Sequence, residues 1–199
     1  MAAVHPWSEL LRKGGTTVAR TGTSPLRSLT ADLFLTLDGY AKGDRSPAYF
    51  GMLGPELGQW VEREMGQPQT VVMGRVTYET LARYDDGTGP LTTMPKIVVS
   101  RSLRQASWGE TTIVGSDEAL TALKQEPGPP LRIMGSVSLV QRLLRARALD
   151  RLRLVVFPLV LGETGSEPMF AHLPDLPLRL GGTEVLDGRL VLLDYRTAV

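Results

Sequence analysis

The sequence predicts an α/β domain: a mixed, mostly parallel sheet with helices on both faces and an antiparallel hairpin at its C-terminal end. Three observations lead there. Short β-branched runs alternate with helical patterns from residue 29 onward, three of those runs stop at a glycine just before a helix, and Asp187-Gly188 joins two apolar segments with the chemistry of a tight hairpin turn.

Composition bounds the function before any motif is weighed. A chain of 199 residues, 42% hydrophobic and 22% charged, fits one packed domain plus an extension, and a core of that size buries roughly 70% of the unfolded chain's surface. The chain has no cysteine, so disulfides, thiolate chemistry and cysteine-based metal sites are excluded, and nothing points to an oxidising compartment. His5 and His172 are the only histidines and lie far apart in sequence, which gives no basis for a His triad or a multi-His metal centre. A formal net charge of +1 supplies no electrostatic reason to expect nucleic acid or a membrane surface as partner. No apolar run approaches the roughly 20 residues that a membrane span needs. The expected location is cytoplasmic.

Residues 1–28 carry Arg12, Lys13, Arg20 and Arg27 against a single acid, Glu9, and their Gly- and Thr-rich breaks leave no periodicity. A flexible N-terminal extension is expected there, with the domain proper at 29–199. Leu29, Ala31, Leu33, Leu35 and Leu37 alternate with Thr30, Asp32, Phe34 and Thr36, the two-residue period of a strand. Asp38-Gly39 ends it, and Tyr40-Ala41-Lys42-Gly43-Asp44 reads as a polar loop longer than a hairpin needs, hence a binding loop. From Pro55 to Met65, residues Leu57, Trp60, Val61 and Met65 share one helical face, and Pro55 suits a first turn.

Val71-Val72-Met73 is a strand that stops at Gly74, and the helix that begins at once behind it spaces Val76, Thr80 and Leu81 to share a face. Asp85 to Pro90 is turn-rich. Pro95 to Val99 is a near-continuous apolar run, the mark of a strand buried on both faces, and it ends in Ser100-Arg101. A short strand from Thr111 to Val114 precedes a helix from Asp117 to Lys124, for which Ser116 is the N-cap. Leu131 to Met134 is a further strand, running into Gly135-Ser136-Val137 and an amphipathic helix through Leu139, Val140, Leu143 and Leu144. The strand Leu152 to Phe157 and the hairpin around Asp187-Gly188 complete the set.

In such a sheet, ligands bind beyond the carboxyl ends of the strands. Gly74-Arg75, Ser100-Arg101 and Gly135-Ser136 all fall at that rim. The first donors of a helix have no partner inside it and attract anions. Gly74 removes a blocking side chain, Arg75 offers a planar five-donor fork, and Thr77 adds a hydroxyl one turn in. Three such strand ends suit an elongated ligand with more than one phosphate. Asp38 is either a turn residue bonding nearby N–H groups or a site carboxylate.

From about Leu29 to Tyr195 the chain resembles the dihydrofolate reductase-like family, and within it the C-terminal reductase domain of bifunctional riboflavin-biosynthesis proteins. The motifs that carry the resemblance are Leu37-Asp38-Gly39-Tyr40-Ala41, Met73-Gly74-Arg75-Val76-Thr77-Tyr78-Glu79, Pro95-Lys96-Ile97-Val98-Val99-Ser100-Arg101, and Met134-Gly135-Ser136 followed by Leu149-Asp150-Arg151-Leu152 and Pro158-Leu159-Val160-Leu161-Gly162. The resemblance implies NADPH as cofactor. Gly74, Arg75 and Thr77 would lie around its phosphates and Ser100 and Arg101 near the adenosine 2′-phosphate. Gly135, Ser136, Val137 and the helix through Leu139 would take the pyrophosphate, and the Ala41 backbone would adjoin the nicotinamide. It also implies hydride transfer to a C=N or C=O bond of a small heterocycle. Tyr40 stands where the riboflavin-pathway reductases usually carry Lys or Arg, so the match does not fix the substrate. If a protein acid protonates that substrate, Glu56 is the first candidate and Asp38 the second. A homodimer is expected, since related reductases pair through sheet edges or C-terminal strands and the run Leu190-Val191-Leu192-Leu193 calls for a partner surface. The contrasting reading is a nucleotide-binding or regulatory protein on the same scaffold without turnover.

Overall fold

The computed structural model describes residues 27–197. In chain order the elements are β1 (Leu29–Thr36), β2 (Tyr40–Gly43), α1 (Pro55–Met65), β3 (Thr70–Gly74), α2 (Arg75–Tyr84), α3 (Pro90–Thr93), β4 (Lys96–Val99), β5 (Thr111–Val114), α4 (Asp117–Ala122), β6 (Leu131–Met134), α5 (Val137–Arg145), β7 (Arg151–Phe157), β8 (Gly165–Pro168), β9 (Leu178–Leu186) and β10 (Leu190–Thr197). Eight strands form one sheet in the order β5-β4-β3-β6-β1-β7-β10-β9, parallel from β5 to β7 and antiparallel at β10 and β9. This is the mixed, mostly parallel sheet that the alternation of patterns predicts.

The two faces are filled by different helices. On one, Leu29, Ala31, Leu33 and Leu35 of β1 meet Leu139, Val140, Leu143 and Leu144 of α5 and Leu120 of α4. On the other, Leu57 and Trp60 of α1 pack on Val155, Phe157, Leu190 and Leu192, while Tyr78 of α2 packs on Val71, Met73 and Val98. α2 therefore turns a different face inward from the one its spacing suggests: Val76 and Thr80 are exposed and Tyr78 is buried. Its hydroxyl accepts the Ser107 and Trp108 N–H groups at 3.1 and 2.9 Å, a tertiary contact that outweighs the apolar spacing.

Two expectations on local structure need correction. Residues 40–43 are not a loop but a strand, paired antiparallel with β8, because Gly165 leaves room for the Tyr40 ring where a Cβ would come within 2.6 Å of it. The expected extension over 1–28 lies outside the described residues up to 26, but Arg27 is part of the fold. It is buried, and its guanidinium donates to Thr70 Oγ1 at 2.8 Å and to the Pro129 carbonyl at 2.7 Å. The C-terminal hairpin turns on Asp187 and Gly188, both at positive φ (53° and 63°), the backbone that an Asp-Gly pair adopts most readily. Among the described residues, no helix is long and apolar enough to cross a membrane.

Candidate active site

Parallel pairing sets the strand ends level: Gly74 lies beside Val99, and Val99 beside Val114. Over this rim run three clefts that share their walls. The first, about 450 Å³, is lined by Phe34, Ala41, Tyr49, Phe50 and Gly135 among others. The second, about 520 Å³, is lined by Gly74, Arg75, Leu139 and Arg142, and the third, also about 520 Å³, by Ser100, Arg101, Ser116 and Asp117. Thr77, Ser136, Val137 and Glu167 belong to both the first and second, and Val99 and Arg142 to both the second and third. One groove thus crosses the ends of β1, β6, β3, β4 and β5. It brings together Ala41, Gly74, Arg75, Thr77, Ser100, Arg101, Gly135, Ser136, Val137 and Leu139, every position the sequence singled out for a cofactor. Leu139 is the one whose side chain is fully buried in the core, so it can act on a ligand only through the helix turn it anchors.

The centre of the groove is where two strand-to-helix turns lock together. Gly135 and Ser136 are both left-handed, with φ of 58° and 57°. For Gly135 this needs glycine, since an L side chain is strained there; for Ser136 the strain is borne. In that conformation Ser136 does not cap its own helix. Its hydroxyl instead accepts the Gly74 N–H at 2.8 Å and bonds the Thr77 hydroxyl at 2.8 Å, tying the β6–α5 turn to the β3–α2 turn. Gly74 itself has an ordinary extended backbone, and a Cβ there would meet Ser136 Oγ at 3.4 Å, so its glycine is required less than that of Gly135.

The cations of the groove are unequally free. Arg75 is held by Glu79 one turn on, at 2.9 and 3.0 Å, in an exposed pair of the kind that contributes little and opens readily. Arg142 is gripped by both oxygens of Asp117 at 2.7 and 3.0 Å, which raises its pKa further. Arg101, exposed at the far end, makes no ion pair among the described residues.

The two acids singled out as proton donors are differently employed, and neither assignment suits the geometry. Asp38 Oδ1 accepts the Thr36 hydroxyl at 2.6 Å, and Oδ2 accepts the N–H groups of Leu161 and Gly162 at 3.0 and 2.8 Å. These bonds, the Thr36 hydroxyl foremost, hold its pKa below the usual carboxylate range, so it carries no proton to give near neutral pH. Glu56 lies outside the groove lining. Its carboxylate accepts the Asp187 N–H, while Asp187 in return accepts the N–H groups of Glu56 and Leu57 at 2.9 and 3.2 Å. The hairpin tip thus caps α1 from across the chain.

Four groove residues escaped the sequence reading. Tyr49 and Phe50 follow one another in left-handed backbone (φ 51° each), at a cost of order 1–3 kcal/mol apiece. Glu167, also left-handed at φ 59°, reaches the groove because β8 pairs with β2, and no local pattern announces that pairing. Asp32, 6% exposed, anchors a charge cluster beneath the floor. Arg153 grips both its oxygens at 2.7 and 2.9 Å, Arg132 bonds Oδ2, and Glu64 of α1 faces both arginines at 2.8 and 3.5 Å. The Trp60 ring lies against both guanidinium groups. An acid among apolar positions of β1 was the available signal, but its partners are 100 and 121 residues away.

Comparison with known proteins decides the family. The model of the RibD C-terminal domain matches residues 27–192. The chain belongs to the RibD C-terminal domain family. Among curated proteins, the uncharacterized protein YyaP of Bacillus subtilis (strain 168) is 24% identical over 182 residues, 85% of this chain and 94% of that one. Among solved structures, a Shewanella sp. PV-4 protein named for riboflavin biosynthesis superposes with a TM-score of 0.73 at 22% identity, covering 86% of this chain and 99% of its own. The dihydrofolate reductase of Enterococcus faecalis, solved with NADP(H), gives 0.58 at 19% identity, with 86% and 97% covered. This RibD C-terminal domain thus has the dihydrofolate reductase-like fold.

Proposed function

We propose that this RibD C-terminal domain is an NADPH-dependent reductase that delivers hydride to a C=N or C=O bond of a small heterocycle. The carrying observation is the groove itself. It runs past the ends of five strands, it has the N-termini of α2 and α5 at its centre and Arg75 and Arg101 along it, and the end opposite Arg101 is walled by aromatic rings. The residues present fit the cofactor: the first N–H groups of α5 have no acceptor within the helix, and Gly135 leaves the backbone open where a pyrophosphate would approach. When bound, NADPH supplies the hydride; the protein orients it and excludes water. Ser136 and Thr77 hold the two turns at a fixed spacing, and Ser100 and Arg101 present donors suited to a 2′-phosphate. A cytoplasmic location goes with this reading.

One observation favours a non-catalytic nucleotide-binding protein instead: both carboxylates singled out as proton donors are committed to backbone N–H groups. NADPH oxidation with a panel of pterins, pyrimidines and simple ketones, run beside an NADPH-binding titration, separates the two. Turnover on any of them is the expected result; saturable binding without turnover across the panel supports the alternative.

We also infer a homodimer. Leu190 and Leu192 are spent on the core against α1, so the whole run does not need a partner. Val191 pairs with Val185 across the hairpin, however, and the two, 38% and 62% exposed, share a face beside Leu180 and β9, the edge strand of the sheet among the described residues. An uncovered apolar edge of this kind calls for a partner. Light scattering should report a dimer at micromolar concentration and a monomer for Val191→Asp; a monomer in the unmodified protein would contradict the assignment.

A further inference from the structure

We propose that an apolar trough on the outer side of α1 is the docking site for residues 4–13 of this same chain. The trough, about 650 Å³, is lined by Tyr49, Leu53, Gly58, Val61, Met65 and Pro90, with Glu62 among them. Gly58, Val61, Glu62 and Met65 follow at the i, i+3, i+4 and i+7 positions of one helical face, beside the face that carries Leu57 and Trp60 into the core. Leu53 is 57% exposed over it. Gly58 gives the sharper indication. Glycine inside a helix is destabilising relative to alanine, yet a Cβ at Gly58 would meet no atom within 4 Å apart from its own helix backbone. The described fold therefore does not require a glycine there, whereas a segment lying closely against the α1 backbone would.

The chain itself carries a segment of matching chemistry. Ahead of its Gly- and Thr-rich breaks, Val4, Trp7 and Leu11 recur at three- and four-residue spacing, which lets one helical face carry all three. Pro6 and Glu9 in front of Arg12, Lys13 and Gly14 are the residue types of a helix start and stop. Val4 to Leu11 spans the same number of positions as Gly58 to Met65, so the two apolar stripes agree in length. Charge agrees too. Glu62 is exposed and makes no ion pair among the described residues, and exposed Asp86 lies on the loop that leads to Pro90, while Arg12 and Lys13 directly follow Leu11. Arg63, the cation of α1, stands on the far side of the helix, 4.0 Å from Glu64.

Attachment favours the chain's own trough. Arg27, the first described residue, donates to Thr70 Oγ1, and Thr70 is only four residues beyond Gly66 at one end of the trough lining. Four residues span at most about 14 Å, and residues 14–26 reach up to about 45 Å when extended, or about 20 Å as a Gly/Ser-type coil. A tether of this length keeps the segment at a local concentration on the order of millimolar, above that of other copies in micromolar solution. Tyr49 lines both the trough and the first cleft of the rim groove, so the docked segment lies behind one wall of that cleft. The assignment stands independently of the reductase reading.

The test uses the full chain, which has three tryptophans and no cysteine. Fluorotryptophan incorporation gives a fluorine signal for Trp7, identified by its loss in Trp7→Phe, and a nitroxide on Gln59→Cys, an exposed α1 position, reports proximity. The Trp7 signal should lie away from that of free fluorotryptophan and lose most of its intensity to the nitroxide. Leu11→Asp and Gly58→Leu should each return it, sharp, to the free position. Leu11→Asp changes no described residue and Gly58→Leu fills open space, so if one variant fails to fold the other decides. A sharp Trp7 signal at the free position in the unmodified protein, or one indifferent to both substitutions, overturns the proposal. So does broadening that is absent within one chain but appears when unlabelled fluorinated protein is brought to equilibrium with nitroxide-labelled Trp7→Phe protein, because the occupant is then a second copy.

Discussion

Asp32→Ala should lower the unfolding free energy by about 3 kcal/mol or more, the range measured when one partner of a buried ion pair is removed. The reason lies in what remains. Arg132 and Arg153 would stay buried against Trp60 with Glu64 as their one shared carboxylate, and Glu64 sits at 2.8 Å from one and 3.5 Å from the other. Against a typical total of 5–15 kcal/mol, such a loss is large. Urea unfolding followed by circular dichroism measures it through the midpoint at constant slope. A loss below about 1 kcal/mol would mean that water reaches the two guanidinium groups, against the burial described for the cluster.

Arg101→Ala should raise the NADPH dissociation constant roughly tenfold to a hundredfold and leave NADH binding nearly unchanged. A charge-assisted hydrogen bond is worth about 1.5–3 kcal/mol, and 1.4 kcal/mol is a factor of ten. Arg75→Ala should cost less, because Glu79 competes with the ligand for Arg75, whereas Arg101 makes no ion pair among the described residues. Titrating NADPH and NADH against both variants and the unmodified protein measures the ranking. Equal constants for NADPH and NADH in the unmodified protein would remove the 2′-phosphate from this end of the groove.

What could be read from the sequence was what local chemistry decides. The bounds of α1 follow from Pro55 and the spacing of Leu57 and Trp60, the hairpin from Asp187-Gly188, and the N-cap of α4 from Ser116, whose hydroxyl accepts the Ala119 N–H at 3.1 Å. The rim residues were legible for the same reason, since each stands where a strand pattern stops. Features made by partners far away in sequence were not. β2 exists because β8 pairs with it, and that pairing carries Glu167 into the groove. Glu56 is tied to the hairpin tip because Asp187 meets it across 131 positions, and Tyr78 took the inner face of α2 because of Ser107 and Trp108. The strained pair Tyr49-Phe50 is the clearest case, as nothing in the types of those residues asks for a left-handed backbone.

The central claim, that the turn at Gly135 cradles the pyrophosphate of NADPH, is tested most directly by a melting curve and an NADPH titration on the same Gly135→Ala sample, beside the unmodified protein. At φ 58° the added Cβ meets Thr77 Cγ2 at 3.4 Å, an ordinary contact, so the fold should lose only about 1 kcal/mol through backbone strain. The same Cβ would stand where the ligand approaches, and NADPH affinity should fall tenfold or more, equivalent to at least about 1.4 kcal/mol. Saturable NADPH binding in the unmodified protein and its weakening in a folded Gly135→Ala protein is the predicted result; unaltered affinity in that variant, or no saturable binding in the unmodified protein, would contradict it.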